Sequence, residues 1–140
     1  MIVLDTNVIS ELIRSTPHEG VKAWLFRQDR SRLYLCTVVL MEQTYGAEKT
    51  MLKTGSDRYF RAIDNLLAGQ FRDRVSVWDA DAAFMTGRLR AKRESMGRPI
   101  SVQDAMIAAI CLTHGATLAT RNTKDFEGLD LKFVNPFEDG

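Results

Sequence analysis

Residues 1–12 read MIVLDTNVISEL, and the first half of that stretch decides how the rest of the chain is organised. Ile2, Val3 and Leu4 form a short, unbroken apolar run, which suits a strand covered on both faces. Asp5, Thr6 and Asn7 follow at once, a polar triplet able to cap a helix through Val8, Ile9 and Leu12. A strand that hands over directly to a helix at an Asp is the opening unit of a parallel α/β sheet. The same handover recurs downstream.

Pro17 breaks the chain, and Val21, Trp24 and Leu25 share one face of a helix over about 19–29. Leu33–Cys36 reads as a second strand, with Thr37 as the cap of a helix bearing Glu42 and Tyr45. Gly46 sits inside that helix at a cost of about 1 kcal/mol relative to Ala. After Gly55 and Ser56, the spacing of Phe60, Ile63 and Leu67 predicts an amphipathic helix ending near Leu67 or Ala68. Residues 75–78 form the third strand, and Asp79 stands immediately after it. Ala80, Ala83, Phe84, Gly87 and Ala91 then trace a long helix with a small-residue face, stopped by Gly97, Arg98 and Pro99. Ser101 opens SVQDAMIAAICLTHG, a helix with Asp104 in its first turn in a capping-box-like pattern and Gly115 as its C-cap. Thr117–Ala119 and residues 131–134 supply the last strands. The alternation predicts an α/β fold: one three-layer α/β/α domain over 1–140 with a largely parallel sheet of four or five strands.

Of 140 residues, 45% are apolar, enough for an ordinary globular core, and 19 Lys and Arg face 18 Asp and Glu. That balance excludes a strongly basic nucleic-acid coat and an acidic disordered tail. It leaves room for a nucleic-acid enzyme, because the charge is unevenly placed. Residues 88–98 hold Arg88, Arg90, Lys92, Arg93 and Arg98 against Glu94 alone, whereas 125–140 are strongly acidic. Cys36 and Cys111 lie in apolar runs and read as buried thiols of a reducing cytosol. No signal peptide and no membrane-length apolar run are present, so a cytoplasmic protein is expected.

The acids are the chemically informative residues. Asp5 ends the first strand, Glu42 lies early in the helix after the second, and Asp104 is in the first turn of the Ser101 helix. Asp125 follows the fourth strand by a few residues. In a parallel α/β domain all four positions fall at the carboxyl edge of the sheet, where such domains place their ligands. Like charges gathered there must share protons or be held by a cation, and an all-oxygen donor set suits Mg²⁺ or Mn²⁺. Such an ion assists attack of water on a phosphodiester. Each position also has a plain structural use: helix caps for Asp5 and Asp104, solvent-facing positions for Glu42 and Asp125. Neither His18 nor His114 has metal-ligand spacing, no Gly-rich phosphate loop is present, and Ser101 and the cysteines lack an evident base.

The opening VLDTNVISEL, the isolated Glu42, the run SVQDAMIAAICLTHGATLATRNTKDF and the closing NPF resemble a PIN-domain ribonuclease of the VapC/FitB toxin type. The resemblance spans essentially the whole chain. It implies a magnesium-dependent endoribonuclease, the toxin of a type II toxin–antitoxin pair, whose catalytic and metal-holding acids fall on Asp5, Glu42 and Asp104. For the fourth acid, some relatives carry Asp where this chain has Asn122, and others carry it three residues later. The role is therefore assigned to Asp125, with Asn122 beside Thr6, Asn7 and Thr120 as supporting polar groups. RNA would be steered by Arg121 and the basic residues of 88–98. A homodimer is implied, together with a small cognate antitoxin that carries the DNA-binding part, so DNA contact would be indirect. Two other readings stay open: a haloacid-dehalogenase-like metal phosphatase and a catalytically inactive PIN-like interaction subunit. The phosphatase needs a second Asp where Asn7 stands. A receiver domain needs an acidic pair at the first strand end, with Asp79 as its phospho-acceptor, and no such pair precedes it.

Overall fold

A computed structural model of the chain describes residues 1–139, with side chains through Glu138. β1 (Ile2–Leu4) is the central strand of a five-stranded sheet. On one side it pairs with β2 (Leu33–Cys36), and β2 pairs with β3 (Val75–Ser76). On the other side it pairs with β4 (Thr117–Ala119), and β4 with β5 (Lys132–Val134). Every pairing is parallel, and the order β3-β2-β1-β4-β5 makes β1/β4 the place where the chain reverses its direction of travel across the sheet. A crevice at the carboxyl ends of such a pair is the natural ligand position of the architecture.

Parallel strands need helical crossovers, and the helices flank the sheet. They are α1 (Thr6–Ile13), α2 (Glu19–Arg27), α3 (Thr37–Thr54), α4 (Arg58–Ala68), α5 (Ala80–Ser95), α6 (Val102–His114) and the short α7 (Pro136–Asp139). The core is the unbroken apolar run of β1 with Leu118 and Ala119 of β4 and Ile107 through Cys111 of α6, all buried. Each large aliphatic buried there contributes about 1.5–3 kcal/mol. Glycine matters where α6 must stop: Gly115 lies at φ +61, a left-handed position that lets the backbone turn directly into β4.

Departures from the sequence expectation have local causes. The helix expected over 19–29 ends at Arg27, because Asp29 caps a separate 3-10 turn over Arg30–Arg32 by accepting the Ser31 N–H at 3.0 Å. The third strand ends at Ser76 rather than Trp78. Beside it β2 has already become α3, and the Trp78 N–H donates to Thr37 Oγ1 at 3.0 Å. Thr37 is thus spent on that bond, and Cys36 occupies the cap position without a side-chain bond. Asp79 caps α5, accepting from the Ala82 N–H at 2.9 Å. Cys36 and Cys111 are both buried and free, and burial pushes the Cys36 thiol up to about 11 and the Cys111 thiol further. Among the described residues, no helix is long and apolar enough to cross a membrane.

Candidate active site

The site begins with register. Leu4 of β1 stands opposite Ala119 of β4, so the next residues, Asp5 and Thr120, meet where the two strands end. The Asp5 N–H still donates to the Ala119 carbonyl at 2.9 Å, and the Thr120 N–H to the Val134 carbonyl at 2.9 Å. The backbone is thereby fixed up to the point where chemistry starts. Asp5 is 3% exposed. One carboxylate oxygen accepts the Thr6 N–H at 2.7 Å, capping α1, and the other accepts the Thr120 hydroxyl at 2.7 Å. The cap and the ligand reading of Asp5 are compatible, since each oxygen keeps a lone pair after these bonds.

Glu42 and Asp104 arrive from other elements. α3 starts with no loop after β2, which brings its second turn, and Glu42, to the same edge. Ser101 Oγ accepts the Asp104 N–H at 3.1 Å, fixing the first turn of α6. Glu42 and Asp104 respond to their acidic neighbours. Burial, then the charges of Asp5 and Asp104, push the Glu42 carboxyl up to about 7. Burial and the Asp5 charge raise Asp104, against a smaller pull from Ser101. Burial raises Asp5 despite the opposing bonds from Thr120 and Thr6. Asp125 lies on a 3-10 turn, Thr123–Phe126; its side chain is exposed, yet its charge is felt by both Asp5 and Asp104. All four sequence-selected acids therefore gather at one edge, Asp125 at its rim.

One carboxylate oxygen of the site is left over. At the site, Glu42 Oε1 is buried with no hydrogen-bond partner, whereas the Asn7 amide side chain lies beside Asp5 and helps to hold its carboxylate charged. Native interiors rarely leave such groups unspent unless something fills the gap. Among the described residues, no group of three acid, His or Cys side chains is arranged to hold one ion as it stands. Mg²⁺ does not require that: it is usually bound through one or two carboxylates and keeps several waters. The donor set fits a hard divalent cation, and the orphaned Glu42 oxygen is the observation that says so.

The surrounding polar residues have defined places. Thr120 Oγ1 also accepts the Asn122 N–H at 3.1 Å, and Asn7 Oδ1 accepts the Arg121 N–H at 3.1 Å, so the loop after β4 is tied back to β1 and α1. Thr6, Glu42 and Gln103 line an open cleft of about 790 Å³. Gln43 escaped the sequence reading. Its Nε2 donates to Thr6 Oγ1 at 2.8 Å and Ser10 Oγ at 3.1 Å, joining α3 to α1 beside the site. Its signal was present, a second polar residue next to Glu42 in an apolar run.

The basic residues divide. Arg88, Lys92, Arg98 and Arg121 are exposed, Arg90 is half-buried, and Arg121 lies over the Phe137 ring at 4.6 Å. Arg93, expected among the RNA-steering cations, is 4% exposed, and its guanidinium is turned onto backbone carbonyls. A group so buried has no surface to offer a phosphate. The correction follows from helical phase, which puts Arg93 on the face of α5 that also buries Thr86 and Leu89.

Residues 2–131 match the PIN domain family. The chain is 36% identical over 138 residues to a plasmid stability protein, StbB, of Pseudomonas syringae pv. tomato, covering 99% of each. It is 33% identical over 125 residues to a tRNA(fMet)-specific endonuclease VapC of Shigella flexneri, covering 89% of each. Among solved structures, a chain of FitAcB from Neisseria gonorrhoeae matches with a TM-score of 0.83 at 30% identity over 98% of this chain and 99% of that one. Parallel sheet, gathered acids and these likenesses agree: the chain belongs to the PIN-domain family and is closely related to the VapC/FitB-type toxins of type II toxin–antitoxin systems.

Proposed function

We propose that this chain is a divalent-cation-dependent endoribonuclease, acting in the cytoplasm as the toxin of a toxin–antitoxin pair. The observation that carries the reading is the gathering of Asp5, Glu42 and Asp104 with Glu42 Oε1 left unpartnered. Asp5 and Glu42 would hold Mg²⁺ or Mn²⁺, with Asp104 and Asp125 completing its surroundings. When bound, that ion supplies the Lewis acid that phosphodiester hydrolysis needs. The chain's own residues do the rest. Thr120 and Thr6 hold the Asp5 carboxylate in one orientation, and the Asn7 side chain beside it supports the same charge. Asn122 stands beside them as a further polar group. Arg88, Arg90, Lys92, Arg98 and Arg121 would hold the RNA backbone.

The family relationship supports a cognate antitoxin and a dimeric assembly, as does the likeness to FitAcB. An antitoxin Arg reaching the carboxylates would fit them bidentately and exclude the cation. DNA contact would then belong to the antitoxin. The test compares wild type with Asp5→Asn, induced in bacteria and as purified proteins with and without Mg²⁺. Growth arrest and discrete new RNA 5′ ends with wild type alone are expected. Equal RNA profiles, with hydrolysis of a small phosphomonoester instead, would replace the ribonuclease by a phosphatase. Growth arrest and RNA ends from neither protein, and no hydrolysis of either substrate, would leave an interaction subunit.

A further inference from the structure

Arg93 is among the few buried charged groups of the described residues, 4% exposed, and it lies outside the carboxylate cluster. Its Nε donates to the Arg98 carbonyl at 2.7 Å, and its Nη1 to the carbonyls of Asp125 at 3.3 Å and Glu127 at 3.4 Å. Among the described residues, no carboxylate stands within ion-pair distance of it. Its charge is met by backbone dipoles. Burying a cation on those terms is expensive, and an apolar side chain would fill the space without that cost.

The carbonyls it grips belong to two separate segments. One is the connection from α5 to α6, which leads through Ser101 into the turn bearing Asp104. The other is the 3-10 turn that bears Asp125 and the residues just beyond it. Arg98 lies at the same joint: its Nη2 is 4.0 Å from Glu127, next to Gly128, whose φ of +83 turns the chain there. Phe126, 0% exposed, anchors the turn from below, whereas Asp125 itself is exposed and has no side-chain bond to hold it. Arg93 therefore binds the backbone of the segment that leads to Asp104 and of the turn that bears Asp125, and the Asp125 charge is among the causes that raise Asp104.

We propose that Arg93 is a positioning residue for the divalent-cation site: by tying the α5–α6 connection to the Asp125 turn, it fixes Asp104 and Asp125 relative to each other. The proposal rests on the cation-dependent reading above. It makes a buried guanidinium, remote from the ion, a determinant of how tightly the ion is held. Residues that orient metal ligands typically alter affinity by about 10–100-fold when removed.

The experiment uses the full chain and Mg²⁺ or Mn²⁺ alone as the probe, with apparent affinity read from thermal melting across a metal titration. The variants are Arg93→Met, Arg93→Lys, Asp125→Asn and the double variant Arg93→Met/Asp125→Asn. Arg93→Met should weaken metal affinity by about tenfold or more, Arg93→Lys by less, and the double variant no more than Asp125→Asn alone. Amide exchange in the metal-free protein should quicken over residues 122–128 in Arg93→Met. If Arg93→Met does not fold, Arg93→Lys carries the comparison. A wild type that responds to metal, with Arg93 variants that melt lower but bind it equally, would overturn the proposal and leave the cation site standing. Losses that simply add in the double variant would overturn it too. No metal response in wild type would remove the cation reading and this proposal with it.

Discussion

At the residue scale, one hydroxyl and one carboxylate decide the site. Thr120 is 0% exposed and bonds both Asp5 and the Asn122 N–H. Thr120→Val keeps the shape and removes both bonds, leaving buried Asp5 with one partner fewer. A loss of about 1–3 kcal/mol is expected, measured by urea unfolding. Glu42 gives the pH dependence. Its carboxyl rises from 4.5 in the unfolded chain to about 7 in the fold, so between these values the native state binds more protons. Stability of the metal-free protein must therefore fall as pH rises through that window. Asp5 and Asp104 shift the same way and add to it. Melting in chelator should drop by several degrees from pH 5 to pH 8, Glu42→Gln should flatten the trend, and Mg²⁺ should restore the loss at pH 8. A melting point that rises over this range would contradict the account. Asp5→Asn should fold and lose about a hundredfold or more in cleavage, since a ligand to such an ion is worth several kcal/mol in the transition state.

At the element scale, legibility followed how each residue is held. β1, β4 and α6 were readable because continuous apolar runs bounded by Asp5, Thr120, Ser101 and Gly115 leave few ways to fold. That Asp5, Glu42 and Asp104 come to one edge of the sheet was legible for the same reason: each follows or opens an element whose position the parallel sheet dictates. What sequence could not reveal depends on partners far along the chain. Thr37 gives up a cap to bind Trp78, β3 stops when β2 turns into α3, and Arg93 turns inward by helical phase. A basic run looks like a solvated face until one member is seen gripping carbonyls 32 and 34 residues away. The cap that orients Asp104 is testable alone. Ser101→Ala removes the acceptor of the Asp104 N–H and should cost about 1 kcal/mol, with weaker Mg²⁺ stabilisation as its functional trace.

At the scale of the whole molecule, the proposed ribonuclease would have to hold a polyanion with a formal net charge of only +1. Placement rather than total charge has to supply the attraction. α5 carries Arg88 and Lys92 one turn apart, both exposed, while Arg93 on the same helix is buried. These residues separate surface electrostatics from internal structure. With Asp5→Asn as a binder that does not cut, the affinity for a single-stranded RNA should fall with salt, by a slope of about 0.7 per phosphate neutralised. Arg88→Gln/Lys92→Gln should make that slope shallower by roughly 1.4 if each side chain meets one phosphate. Arg93→Met should leave it unchanged, because a guanidinium spent on carbonyls displaces no counterions. Filter binding between 50 and 200 mM KCl, in chelator so that the cation site plays no part, reads both effects. Equal slopes for wild-type α5 and the double substitution would take RNA off this helix. A shallower slope for Arg93→Met would mean that the buried cation reaches the surface when RNA binds.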